Sequence, residues 1–255
     1  MPEVSGNSYE ELKKGVVLAE LGGYGDGPYC ARHGAGATLV LMGTYIVDSG
    51  DKVPYSPKFV FKPDRSIYAP YLREHVKAAR AGGGKVGVSV ISIKLQHTLD
   101  FLVAAQEAGA DYASLCAYST MEMFTRAGLG VALCEPANSK SLHLWAKAIL
   151  KALTIPVIFK IGLDDLRDTL AAVDTLTQVG VPIVNISVGT TAPGSAGLKA
   201  VKQLSGHCAC LIAGGGIKDL EGARRVLEQG ADAVAIGAAA MKNPYLCGDI
   251  RKCLR

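Results

Sequence analysis

An eight-stranded α/β barrel is the architecture expected of this chain, and three observations point to it. Short, almost wholly apolar runs recur along its 255 residues, helix-like segments separate them, and glycine-led turns launch strands from helix ends. The runs are 16–20, 37–42, 86–91, 111–116, 156–161, 182–187, 208–213 and 232–237. Continuous apolar runs suit parallel strands covered on both faces, because such strands have no wet side to alternate with. A doubly wound open sheet would share the βα rhythm, but eight strands in a chain near the barrel's typical length of about 250 residues favour one (β/α)8 domain spanning 1–255.

Taken in order, the first run ends at Glu20, Leu21 and Gly22. After the second comes the one break in the rhythm. Residues 48–71 carry Pro54, Pro57, Pro63 and Pro70 with Tyr55, Phe59, Phe61, Tyr68 and Tyr71, too long for an ordinary connection. This segment is either a lid over the catalytic face or a rigid packing insertion. The third run carries Ser89 and leads to a helix over 95–108. The fourth ends at Cys116, with Tyr118 two residues on and Glu122 and Arg126 beyond; Arg126 is either an anion contact or a surface group. A helix over 139–153 precedes the fifth run, which contains Lys160, and another over 164–179 precedes the sixth. Strand alternation puts Asn185 and Ser187 on one side of that sixth strand, ahead of polar turns at 189–191 and 193–195. The turns at 109–111, 180–182 and 230–232 each begin with glycine, end a helix and start a strand. His33, His75, His97 and His143 fall in helices without partners at catalytic spacing and are expected at the surface.

The last two strands frame the most informative feature. Gly214, Gly215 and Gly216 follow the seventh run, Ile217 comes next, and Gly237 and Ala238 follow the eighth. Glycines let backbone N–H groups close on an anion. Between them, 219–229 reads as a helix, with an acidic first turn, a stripe of Leu220, Ala223, Val226 and Leu227, and Gly230 as its stop. The loops after strands 7 and 8 are the usual phosphate site of such barrels, so paired glycine loops here predict a phosphate cradle and not merely tight turns.

Composition narrows the class. Hydrophobic residues make up 49% of the chain, enough for a full core. Seven cysteines, an odd number with no C-x-x-C pair, argue against a disulfide framework and a zinc site. A net charge of +4 without a basic run permits an anionic ligand but is little reason to expect nucleic acid. No signal-peptide core is evident and no apolar stretch approaches 18 residues, so a cytoplasmic protein with no membrane partner is expected.

Several loops together resemble one superfamily. The stretch 16–29, Val-Val-Leu-Ala-Glu-Leu-Gly-Gly-Tyr-Gly-Asp-Gly-Pro-Tyr, resembles the first-strand motif of tRNA-dihydrouridine synthases, in which an Ala-Pro-Met-x-Gly turn lies against flavin and Asp-x-Pro-Phe opens the first helix. Residues 111–136 are similar to that family's catalytic-loop region, and Ile-Pro-Val-Ile-Phe-Lys at 155–160 to the strand whose lysine reaches the flavin. The 214–244 stretch resembles the FMN phosphate site shared with dihydroorotate dehydrogenases. Departures accompany the match: Glu20 stands where the family has proline, Ser89 where it has a flavin-contacting glutamine, Leu115 and Tyr118 at its Asn-x-x-Cys, and Ser187 at a histidine. The dihydroorotate dehydrogenase motif Asn-x-Ser-Cys-Pro-Asn is absent too. No C-terminal RNA-binding helical domain is expected after Leu254.

The resemblance implies FMN as cofactor, with Glu20, Leu21, Gly22, Ser89, Asn185 and Ser187 around the ring and ribityl chain, Gly214–Ile217 and Gly237–Ala238 at the phosphate, and Lys160 stabilising the reduced ring. A lysine in an apolar strand needs an anionic partner; flavin supplies one, and a salt bridge to Glu20 is the other reading. Asn185 reads equally as a buried amide satisfying backbone. Cys116 or Tyr118 would handle the proton. The expected activity is hydride transfer between flavin and a C–C bond of a small, pyrimidine-like substrate, with tRNA disfavoured and a homo-oligomer left open. The alternatives are a flavin-free phosphate-binding lyase or isomerase, with Lys160 as a Schiff-base or electrostatic lysine, and a non-catalytic flavin-binding protein.

Overall fold

The computed structural model describes residues 9–48, 57–188 and 194–254. Nine parallel strands form among them: β1 (Gly15–Leu18), β2 (Leu39–Val47), β3 (Val60–Phe61), β4 (Lys85–Ile91), β5 (Tyr112–Ala117), β6 (Val157–Gly162), β7 (Ile183–Ser187), β8 (Cys210–Gly214) and β9 (Ala233–Ile236). Strand β1 pairs with both β9 and β2, which closes the sheet into an eight-stranded barrel, and β3 adds only a short edge to β2. The helices are α1 (Gly27–His33), α2 (Arg65–Arg80), α3 (Leu95–Glu107), α4 (Glu122–Thr125), α5 (Ser139–Ala152), α6 (Leu166–Val179), α7 (Ser195–Leu204), α8 (Leu220–Glu228), α9 (Ala238–Lys242) and α10 (Leu246–Leu254). No helix among the described residues is long and apolar enough to cross a membrane.

Local chemistry starts these helices where the chain leaves the sheet. Asp26, Asp165 and Asp219 each accept a backbone N–H from the first turn of α1, α6 and α8, satisfying donors that a helix start leaves orphaned. The expected helices hold to within two residues at their ends.

Period two along the strands divides the core in two. Val17, Leu41, Tyr112, Ile158, Ile183 and Ile212 point inward as one cluster with Leu12, while the alternate residues face the helices. Below this layer Tyr112 Oη donates to Glu11 Oε1 at 2.7 Å, closing the amino-terminal end. The barrel is a filled core and not a pore.

Two expectations change. Strand β2 runs to Val47, not to residue 42. Its pairing with β4 shifts register between Met42 and Tyr45, where Gly43 takes φ +99° and an added Cβ would lie 2.5 Å from the Ser89 carbonyl oxygen. A bulge of this kind re-aims a side chain without ending the strand. The Pro-rich segment also ends earlier than expected: α2 begins at Arg65, capped by Asp64, and takes Pro70 within it. Its aromatics pack on the outside of the barrel. Tyr45 stacks on Phe59 at 5.2 Å between centroids, Phe61 meets Tyr71 at 5.0 Å and Tyr68 meets Phe101 at 5.0 Å. The part of the segment that includes Pro54 and Tyr55 lies outside the described residues.

The histidines differ from expectation as well. His33 and His75 are half-buried: His33 Nδ1 lies 2.8 Å from the Ala240 carbonyl oxygen, and His75 Nδ1 accepts the Gly27 N–H at 3.0 Å while its ring stacks on Tyr71. Both tie neighbouring elements together.

Candidate active site

The inward positions two residues above the apolar layer form the floor of a cavity of about 700 Å³ at the carboxyl end of the barrel, within the size range of small-molecule sites. Period two carries Ile158 to Lys160, Ile183 to Asn185, Ile212 to Gly214 and Ala235 to Gly237. Cys116 and Lys160 are partners across β5 and β6, as are Lys160 and Asn185 across β6 and β7. Three chemically distinct side chains therefore stand side by side in one layer.

Lys160 is the centre of this layer. Its Nζ lies 3.3 Å from Glu20 Oε2, and the two side chains are 12% and 1% exposed. Burial pulls the ammonium down, but the Glu20 carboxylate, with smaller help from Cys116 and Tyr118, outweighs it and holds Lys160 above the ordinary lysine value. The Tyr118 ring sits 5.6 Å from Nζ, within reach of a cation–π contact. Lys160 makes the expected salt bridge to Glu20 and also lines the cavity.

Glu20 is fixed from the other side. Ser89 Oγ donates to Glu20 Oε1 at 3.3 Å, and Thr44 Oγ1 lies 3.3 Å from Ser89 Oγ. Ser89, expected at the ring edge, is fully buried behind Glu20 and is not among the residues lining the cavity. The longer Glu20 side chain covers it.

Cys116 lines the floor beside Lys160. Burial pushes its thiol up, and the Lys160 ammonium offsets this only in part, so the sulfur keeps its proton at neutral pH. Tyr118 lies one residue beyond β5, with Gly162 beneath its ring. Asn185 is 1% exposed, and its Nδ2 has no hydrogen-bond partner among the described residues. An unspent buried donor on a cavity wall costs stability unless a ligand uses it.

After β8, Gly214 to Ile217 line the cavity and make the expected turn. Gly215 and Gly216 take φ +111° and +65°, conformations in which a side chain would be strained. Gly214 serves differently, since a Cβ there would lie 2.8 Å from the Ala235 carbonyl oxygen. Gly237 repeats neither constraint: its φ is −110° and a Cβ would meet Leu21 at an ordinary 3.4 Å. Leu21, Gly22, Ser187 and Ala238 also line the cavity. The turn residues 189–191 and Pro193 lie outside the described residues. Arg126 pairs with Glu122 one helical turn away, and both side chains are well exposed, a solvated surface pair.

Several lining residues escaped the sequence reading. Thr44 reaches the wall only through the β2 bulge, and the glycine inside an apolar run, Leu-Met-Gly-Thr-Tyr, was its available signal. Lys218, Lys242 and Asn243 stand near the glycine turn; two lysines flanking a predicted anion cradle could have been read from spacing.

Residues 120–255, just over half of the chain, match the family model described as dihydrouridine synthase (Dus). The chain belongs to the dihydrouridine synthase family. Among solved structures, this family member is similar to a DHODH from Eimeria tenella, solved in complex with ferulenol, at a TM-score of 0.68 over 94% of this chain and 80% of that one. At 15% identity that likeness concerns the fold. Among curated proteins it is 34% identical over 78 residues to the geranylgeranylglyceryl phosphate synthase of Methanopyrus kandleri. That match takes in 31% of this dihydrouridine synthase family member and spans only a third of the relative's length, 33%.

Proposed function

We propose that the chain is an FMN-dependent oxidoreductase acting on a C–C bond of a small, pyrimidine-like substrate. One observation carries the reading: a buried ammonium, Lys160 on β6, and a left-handed glycine turn, Gly215–Gly216 after β8, line one cavity. A nucleotide-like cofactor with an anionic tail and an electron-accepting ring matches that polarity. Family membership supports the same assignment.

The residues present fit FMN. The backbone N–H groups of the Gly214–Ile217 turn, with Lys218 and Lys242 beside them, would hold the phosphate. The unpartnered Asn185 amide and Ser187 would meet polar atoms further in, and Lys160 would stand against the ring. FMN would supply hydride chemistry at a carbon of the substrate. Lys160 keeps a positive charge fixed in a dry setting, where it stabilises developing negative charge more strongly than it would in water. Cys116, held protonated by burial, and Tyr118, nearer the mouth, are the groups able to give a proton to a substrate carbon.

The flavin-free alternative with a Schiff-base lysine needs Lys160 as a neutral amine. Glu20 opposes this, because it favours the ammonium. The partial match to a synthase whose name includes a phosphate ester is compatible with the glycine turn and leaves the role of Lys160 untouched.

The test is the visible spectrum of the purified protein, with mass spectrometry of whatever small molecule copurifies. FMN absorbance that bleaches anaerobically with a dihydropyrimidine, or that returns with a pyrimidine once a reductant has bleached it, is the expected result. A colourless protein that does not bind added FMN overturns the proposal.

A further inference from the structure

Among the described residues, Glu20 is the buried carboxylate of the interior, and it sits at the cavity floor. Each of its oxygens has a neighbour, Ser89 Oγ at 3.3 Å on Oε1 and Lys160 Nζ at 3.3 Å on Oε2, and Thr44 backs Ser89. The chain Lys160, Glu20, Ser89, Thr44 thus links residues carried on or next to β6, β1, β4 and β2. We propose that Glu20 is a positioning residue that acts as a fixed counter-charge to Lys160, so that the cofactor meets a nearly neutral pair and its reduced form is held less tightly than a lone lysine would hold it. This rests on the flavin reading above.

A buried ion pair does not in general contribute net stability, because both charges must be desolvated. Lys160 alone could take its counter-charge from a bound anion, yet the fold builds one in and screens it from solvent at 1% exposure. A ligand that gains negative charge on reduction interacts differently with the pair than with an isolated ammonium. The ammonium draws it in and the carboxylate a few ångströms away pushes it out, and low local dielectric magnifies both terms. Ser89 adds a second control, since its hydroxyl donates to the carboxylate and drains part of its charge. Glu20 therefore sets how strongly Lys160 distinguishes the two redox states, without itself handling the reacting atoms.

Redox titration of the FMN-loaded protein against reference dyes tests this. Glu20→Gln keeps the shape and removes the charge, and it is expected to raise the midpoint by about 30 mV or more, the equivalent of a tenfold shift in relative affinity for a two-electron couple. Ser89→Ala, which leaves the carboxylate undrained, is expected to move the midpoint the opposite way. A midpoint that stays put or falls in Glu20→Gln, with FMN bound, overturns the proposal while leaving the flavin reading intact. If Glu20→Gln does not fold, the Ser89→Ala midpoint decides alone: a fall supports the counter-charge, and no change or a rise overturns it. A wild-type protein that binds no FMN overturns both.

Discussion

Lys160 carries two burdens that a variant would separate. In Lys160→Met the side-chain volume is kept, but the Glu20 carboxylate stays buried with its ion partner gone. Breaking a buried pair on one side typically costs about 3–5 kcal/mol, so a large fall in melting temperature is expected, and Glu20→Gln added to it should recover part of the loss. A double-mutant cycle followed by thermal denaturation measures the coupling. Proton handling is a separate matter, tested on Cys116 and Tyr118. Removing the true donor lowers turnover by about 10²–10⁴-fold, so Cys116→Ala and Tyr118→Phe are expected to differ sharply in single-turnover rates, and equal small effects would exclude both. Cys116, Lys160 and Asn185 were legible as polar side chains at or near the carboxyl ends of apolar runs, and strand pairing sets the three side by side. Ser89 was misread because its place behind Glu20 depends on the length of a side chain from another strand. Thr44 was missed because the apolar run was ended at residue 42, before the bulge that carries the strand on to Val47.

Helix starts were legible for a different reason: an aspartate before an apolar stripe is a local signal. Asp26 is an instructive case, because it caps α1 through the Tyr29 N–H at 2.9 Å and also pairs with Lys58 at 2.7 Å. Burial alone would raise its carboxyl, but the Lys58 hydrogen bond and charge and the Tyr29 amide outweigh that and hold it below the usual carboxylate value. With the folded value depressed, the contribution is complete above the unfolded value, about 3.9, and fades as pH falls through the lower folded one. Asp26→Ala is therefore expected to lose about 1 kcal/mol at pH 7, and the gap to wild type should close in strongly acidic buffer; urea titrations at both pH values check it. The segment before α2 was harder to read. Pro70 suggested a loop, yet an aromatic cluster spanning β2, α2 and α3 fixes the helix from outside, and tertiary packing of that kind leaves no local mark.

Across the whole barrel, eight strands and their order followed from apolar runs alone, because a doubly covered parallel sheet leaves few other ways to hide them. The ninth strand, two residues long, has no such mark. The cavity too was legible in outline, since glycines after β8 and a lysine in β6 both line it. If FMN spans them, its binding should stabilise the entire fold by mass action, about 2.7 kcal/mol at a hundredfold excess over Kd. Thermal shift assays should then rank FMN above riboflavin, which lacks the phosphate proposed to sit on Gly215 and Gly216. Equal shifts would mean that the glycine turn contributes nothing to affinity.

The closed amino-terminal end, where Tyr112 meets Glu11 beneath a layer of packed side chains, carries a kinetic corollary. If the proposed flavin is held in the cavity at the other end of the barrel, a molecule that donates electrons and one that accepts them reach it from the same side and are expected to take turns. Double-reciprocal plots drawn at several fixed donor concentrations should be parallel lines, and a common intersection would mean that both visitors fit inside together.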